Sequence, residues 1–73
     1  MLEEYIASLN ENTLIALYQD CEQLSSTGVL SEDAALRQMI NARGLDDTLL
    51  TLSLASSAIY RTLATKYVKE VIN

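Results

Sequence analysis

The chain of 73 residues carries ten acidic and five basic side chains, one cysteine and no histidine, which gives a formal net charge of −5. A chain of this length forms one domain at most and buries only about 60% of its unfolded surface. The single cysteine excludes an internal disulfide, the lack of histidine leaves a structural zinc site short of ligands, and the negative charge argues against nucleic acid as a partner. We therefore expect self-association to supplement the small core.

The N-terminal part of the chain predicts one amphipathic helix with a short helical segment before it. Asn10 is predicted to cap a helix over 11–26, because Leu9 and Leu14 then take the two positions of a hydrophobic staple. Residues 2–8 are predicted to form either a short additional turn or a continuation of this helix.

The two glycines of the chain fall where helices are predicted to stop. Gly28 and Gly44 are each expected to adopt the left-handed conformation that follows the last helical residue. In the Schellman motif, apolar residues on the two sides of each glycine then pair: Leu24 with Val29, and Ile40 with Leu45.

Two further helices follow along the chain. Ser31, with two acids after it, is predicted to cap a middle helix over 32–43. Asp46 is predicted to cap a last helix over 47–72. No segment shows the alternation of a strand. The predicted fold class is therefore all-α, a helical hairpin or three-helix unit within a single domain over 1–73, with a long C-terminal helix and completed by homo-oligomerisation.

The first two of these helices each have one apolar face on a helical wheel. The face of the first helix contains Leu14, Leu17, Tyr18, Cys21 and Leu24. The narrower face of the middle helix contains Leu36, Met39 and Ile40. We expect these residues to form the core together with one side of the last helix.

The last helix is apolar over roughly 220° of its circumference, about twice the width of an ordinary core stripe. One stripe contains Leu49, Leu52, Ile59, Leu63 and Tyr67, and a second contains Leu50, Leu54, Ala64, Val68 and Ile72. The strip left for water contains Asp47, Thr51, Thr62, Thr65 and Lys69. Short neighbouring helices cannot cover both stripes, so one set of residues is predicted to form an interface with a second copy or a partner: Leu50, Leu54, Tyr60, Leu63, Tyr67, Val68, Val71 and Ile72.

Charge is unevenly distributed along the chain. All seven charged residues up to Asp33 are acidic, and all five basic residues come after it. A bipolar chain of this kind can pair its own halves in antiparallel packing, or it can attract a second copy of itself. The remaining interpretation is that these charges are ordinary solvated faces.

The sequence supplies little for catalysis. The commonest general base near neutral pH is missing, because the chain has no histidine. Cys21 lies on an apolar stripe, where a thiol is buried and unreactive, and acids such as Asp46 and Asp47 are explained by their places at helix N-termini. These two acids also open the only segment that resembles a recognition helix, which disfavours DNA binding. We predict no enzyme activity, no metal and no cofactor.

Binding is therefore the predicted function. The protein is expected to act as a regulator, adaptor or inhibitor that occupies the surface of a larger protein. The alternative is an oligomer that binds a small ligand, such as a nucleotide, in pockets between subunits. In that case the aromatic and cationic side chains of the last helix are the expected contacts: Tyr60, Arg61, Lys66 and Tyr67.

The sequence predicts a cytoplasmic protein without a membrane segment. Glu3 and Glu4 stand where an export signal has basic residues. The longest uncharged run, residues 48–60, is shorter than the roughly 18–20 residues that span a bilayer. A lone cysteine also fits a reducing compartment.

Overall fold

The computed structural model describes the backbone of residues 2–72 and the side chains of residues 2–66. Four helices follow one another along the chain: α1 (Leu2–Ala7), α2 (Glu11–Thr27), α3 (Ala35–Ala42) and α4 (Leu49–Ile72). The described part of the chain contains no strand. The predicted all-α class is confirmed, with a long C-terminal helix as expected.

The N-terminal segment forms a helix of its own and does not continue into α2. The backbone closes a turn after α1, where the N–H of Ser8 donates to the carbonyl of Tyr5 at 3.1 Å. Asn10 is then extended, with φ −76° and ψ 167°, and its side-chain oxygen accepts the N–H of Thr13 at 2.9 Å. Because an N-cap needs this extended backbone and this acceptor, the predicted cap at Asn10 is confirmed.

Gly28 ends α2 in the left-handed conformation, with φ 73°, and its N–H donates to the carbonyl of Leu24 at 2.8 Å. The predicted helix end is therefore confirmed, but the Schellman pairing of Leu24 with Val29 is wrong. The hydroxyl of Thr27 accepts the N–H of Val29 at 3.2 Å, so this N–H does not reach back to α2. Val29 is left 67% exposed beside the helix.

Gly44 ends α3 in the way the sequence predicts. Its φ is 77°, and its N–H donates to the carbonyl of Asn41 at 3.0 Å. The N–H of Leu45 donates to the carbonyl of Ile40 at 3.2 Å. These two bonds define the Schellman motif, which is therefore confirmed at this glycine.

The start of α3 differs from the prediction. The hydroxyl of Ser31 accepts the N–H of Asp33 at 3.2 Å and holds a local turn, so Ser31 does not cap a helix from residue 32. The helix begins at Ala35, and the N–H of Leu36 donates to the carboxylate of Asp20 at 3.0 Å. A side chain of α2 therefore takes the place of the missing local cap and fixes α3 against α2.

The start of α4 also differs from the prediction. Asp46 is not the cap, because the helix begins at Leu49 and the hydroxyl of Thr48 accepts the N–H of Thr51 at 3.3 Å. Asp47 lies outside the helix, and its carboxylate pairs with Arg37 of α3 at 3.0 Å. The sequence predicts Asp47 in the first turn of α4, whereas in the structure this residue precedes the helix and forms the ion pair.

The core forms between α4 and the three shorter helices, each of which contacts it. It contains Ile6, Leu14, Leu17, Cys21, Leu30, Leu36, Ile40, Leu52, Ala55, Ala58 and Ile59. The predicted burial of Cys21 is confirmed, whereas Tyr18 of the same stripe is exposed. Thr62, predicted to face water, is buried because α1 packs on this side of α4.

The cross-helix cap of α3 can be tested by removing its acceptor. We expect Asp20→Ala to lower the free energy of unfolding by about 1 kcal/mol, the usual cost of a lost N-cap. For a domain of this size the melting temperature then falls by about 4–8 °C, which thermal unfolding followed by circular dichroism can measure. Asp20→Asn keeps a side-chain acceptor and should retain most of the stability. Equal losses in both variants, or no loss in either, would contradict the capping role.

The ion pair of Asp47 predicts a specific pH dependence. The hydrogen bond from Arg37 holds the pKa of Asp47 below its ordinary value of 3.8. The carboxylate therefore contributes stability above the unfolded-state pKa, and this contribution is lost as the pH falls through the folded-state pKa. In urea titrations from pH 7 downwards, wild type should be more stable than Asp47→Asn at neutral pH, and the difference should shrink below about pH 4. A difference that does not change with pH would refute the pairing.

Candidate interaction surface

One side of α4 is uncovered and carries exposed leucines. Its leucines near the N-terminal end are largely open to solvent, with Leu49 and Leu50 each 70% exposed and Leu54 60% exposed. We define the outer face of α4 by the exposed residues that lie opposite its buried side: Leu50, Ser53, Leu54, Ser57, Arg61 and Ala64. The prediction that Leu50 and Leu54 face outward on a single chain is therefore confirmed.

The outer face is open because α1, α2 and α3 all pack on the other side of α4, and each of them is shorter than α4. The 24 residues of α4 span about 36 Å, whereas the 8 residues of α3 span about 12 Å and the 6 residues of α1 about 9 Å. Only α2, with 17 residues and about 26 Å, approaches the length of α4. All three contact the buried side of α4 and leave the opposite side to solvent.

Two grooves border the outer face. The groove between α2 and α4 has a volume of about 430 Å³, and its apolar wall is formed by Cys21, Leu24, Leu49 and Tyr60. The groove between α1 and α4 has a volume of about 580 Å³ and is lined by Leu2, Glu3, Glu4, Ala7, Leu54, Ala58 and Arg61. Leu54 belongs to both the outer face and the second groove, so the apolar surface continues from α4 onto α1.

The structure divides the predicted interface residues into four groups. Leu50 and Leu54 lie on the outer face. Leu63 is half-buried and packs against the core on the same side of α4 as Ile59, so it does not lie on the outer face. The side chains of four further predicted residues lie outside the described part of the chain: Tyr67, Val68, Val71 and Ile72.

Tyr60, the remaining predicted interface residue, lies at the edge of the outer face and is held by α2. Its hydroxyl donates to the carboxylate of Glu22 at 2.6 Å, and its ring meets Tyr18 edge-on at 5.6 Å between centroids. The hydrogen bond to Glu22, helped by partial desolvation, raises the pKa of Tyr60 to about 12. Tyr60 is therefore a neutral, oriented aromatic side chain that forms part of the α2–α4 groove.

The predicted ligand contacts do not form one site. Arg61 and Lys66 together line a hollow of about 300 Å³ beside α1, with Thr62 and Thr65 between them. Arg61 pairs with Glu3 at 2.9 Å, and the Lys66 ammonium donates to the carbonyl of Leu9 at 3.1 Å. Tyr60 lies in the other groove, and the side chain of Tyr67 is outside the described residues.

The acidic and basic halves of the chain pair with each other inside one molecule. Arg61 binds Glu3 of α1, and the Arg43 guanidinium lies 4.3 Å above the ring centre of Tyr5. The ion pair between Arg61 and Glu3 joins the basic and acidic halves within one chain. Arg61 is also the one charged residue among the six that define the outer face.

The single thiol of the chain, Cys21, is buried in the core. Burial raises the pKa of the Cys21 thiol, and the nearby carboxylates of Asp20 and Glu22 raise it further. Residues 2–66 contain no group of three or more His, Cys, Asp or Glu side chains that could hold a metal ion. Within that part of the chain no helix has the length and hydropathy to cross a bilayer. The absence of enzyme activity stays a prediction.

The sequence places Ala64 in the second apolar stripe, but it does not assign Ser57, which also lies on the outer face, to either stripe. A signal for Ser57 exists in the spacing, because Leu50, Leu54, Ser57, Arg61 and Ala64 follow one another at intervals of 4, 3, 4 and 3 residues. That spacing is the seam of a coiled coil, and it is obscured where serine, arginine and alanine replace the usual large apolar residues. Comparisons with protein-family models, with curated proteins and with solved structures found no match for this chain.

Proposed function

We propose that this protein is non-enzymatic and acts by binding protein surfaces, as a homo-oligomer that regulates, adapts or inhibits a larger partner. The observation that carries the proposal is the exposure of three leucines, Leu49, Leu50 and Leu54, within two turns of one helix. Single exposed apolar residues are ordinary on a soluble protein, but a continuous apolar patch marks an interaction surface.

The energetics favour association through this surface. Burying a leucine side chain contributes about 1.5–3 kcal/mol, so Leu50 and Leu54 of the outer face, with Leu49 in the groove at its edge, can together contribute more than the roughly 3–5 kcal/mol expected from a core of this size. Much of the stability of the folded chain would then come from its contact with another chain. Such coupling between folding and binding is common for small domains without disulfides or metals.

The composition of the outer face suits a protein partner. Interface centres are poor in charge, and Arg61 is the one charged residue of the six that define this face. Ser53 and Ser57 are small and exposed, so the backbone of a partner helix can come close between the leucines. The two bordering grooves can accept side chains at the edges of such a contact.

A second candidate function, the binding of a small anionic ligand, rests on the hollow that Arg61 and Lys66 line beside α1. A ligand there would have to compete with Glu3 for Arg61. Thermal unfolding with a panel of nucleotides tests it, since a ligand at about 100 times its dissociation constant adds about 2.7 kcal/mol to the stability. A rise in melting temperature that is lost in Arg61→Ala would support this candidate, and no rise with any nucleotide would contradict it.

Light scattering on matched variants tests the proposed function. At micromolar concentration we expect the wild type to exceed the monomer mass of 8.1 kDa and Leu54→Asp to approach it, because a carboxylate cannot be buried unpaired in an apolar contact. Val29→Asp is the matched control, since Val29 has a similar exposure, 67% against 60%, but lies in the loop after α2. It should keep the wild-type mass. A wild type that stays monomeric throughout would contradict self-association.

A further inference from the structure

We infer that the outer face of α4 binds a second copy of this chain in antiparallel orientation, with Leu54 opposite the partner's Ala64 and Ser57 opposite the partner's Arg61. The inference rests on the proposed function and specifies its partner and its geometry. It places a two-fold axis beside the middle of α4, at the level of Ile59.

The spacing of exposed residues supports a helix as the occupant of this face. Leu50, Leu54, Ser57, Arg61 and Ala64 are all exposed and recur at alternating intervals of 4 and 3 residues. Two helices that share this seven-residue period can keep their seams in contact over several turns. In the sequence the same spacing continues to Val68 and Val71, whose side chains lie outside the described residues.

Size and charge along the face favour the antiparallel orientation. In a parallel pair each residue meets its own copy, so Arg61 would face the partner's Arg61 and Ala64 the partner's Ala64. That arrangement brings like charges together and leaves space between the alanines. In the antiparallel register a large residue meets a small one at both levels, Leu54 against the partner's Ala64 and Ser57 against the partner's Arg61.

The charges around α4 also favour the antiparallel orientation. Asp46 and Asp47 lie directly before the helix, whereas Lys66 and Lys69 lie in its second half. Antiparallel pairing brings the acidic start of one α4 towards the basic half of the other, and it also sets the two helix dipoles in opposite directions. Both contributions are unfavourable in a parallel pair.

The position of α1 gives the Arg61 of each copy acidic neighbours. Glu3 already binds Arg61 at 2.9 Å, and Glu4 lines the same groove beside Leu54. In the antiparallel register the partner's Arg61 lies at the level of Ser57, one turn along the helix from Leu54 and therefore next to this groove. Each arginine at the seam then has carboxylates nearby.

A second copy fits this face better than an unrelated protein because the face is complementary to itself. An isologous contact requires one surface to supply both halves of each pairing. The outer face does so, with leucines towards its N-terminal end, the small Ala64 towards its C-terminal end, and Ser57 and Arg61 on either side of the level of the axis.

Disulfide trapping between single-cysteine variants tests the register. In a Cys21→Ala background, Leu54→Cys and Ala64→Cys are prepared with tags of different size, checked for wild-type association by light scattering, mixed and oxidised. Both positions are exposed in the folded chain, so neither substitution disturbs the core. The antiparallel register brings these two positions together, whereas two copies of residue 54 lie about 15 Å apart along the axis, beyond the reach of a disulfide.

We expect the mixed disulfide of Leu54→Cys with Ala64→Cys to exceed the Leu54→Cys homodimer by more than about tenfold. Val29→Cys in the same background reports random collision. Efficient Leu54→Cys homodimers without the mixed product would show a parallel pair and overturn the inference while leaving the proposed self-association intact. Absence of both products in an associated protein would overturn it as well.

Two further results separate the inference from the proposed function. A wild type that is monomeric by light scattering would overturn both. If either cysteine variant no longer associates, the pair Ser57→Cys and Arg61→Cys replaces it, because the same register brings these two positions together. Trapping of this second pair above the Val29→Cys background supports the register, and background-level trapping overturns it.

Discussion

The structure depends on the packing of three shorter helices against one side of α4. A helix of 24 residues is built with apolar residues around most of its circumference, but its neighbours have 6, 17 and 8 residues and occupy one side. The buried side is completed by small residues, Ala55 and Ala58, that allow these neighbours to come close. The opposite side has no such cover in a single chain, so its leucines stay exposed and can bind another apolar surface.

Polar contacts between elements that are distant in sequence fix where α3 and α4 begin. Asp20 of α2 caps α3, and Arg37 of α3 holds Asp47 directly before α4. Arg37 also donates to the carbonyl of Leu30, which ties the loop before α3 to the loop after it. These bonds use backbone groups and charges that would otherwise need water. A small core is thereby supplemented by contacts that orient the helices as well as stabilise them.

The features that depend on neighbours in sequence were predictable, and those that depend on neighbours in space were not. The cap at Asn10 and the left-handed glycines follow from local backbone chemistry, and the exposure of Leu50 and Leu54 follows from helix periodicity and length. The capping of Leu36 by Asp20 could not be predicted, because the two residues are brought together only by the packing of α2 and α3. For the same reason the sequence predicts that Thr62 faces water, whereas in the structure α1 covers it. The candidate surface was thus predictable in its leucines and not in its boundaries.

Solvent accessibility of individual leucine methyl groups tests most directly whether another chain covers the outer face of α4. With a soluble paramagnetic agent, methyl relaxation can be followed by NMR from dilute to concentrated protein. We predict that the methyl groups of Leu50 and Leu54 become shielded as the concentration rises, whereas those of Leu45, an exposed leucine in the loop after α3, do not change. Methyl groups of Leu50 and Leu54 that remain as accessible at high concentration as at low would contradict self-association through this face.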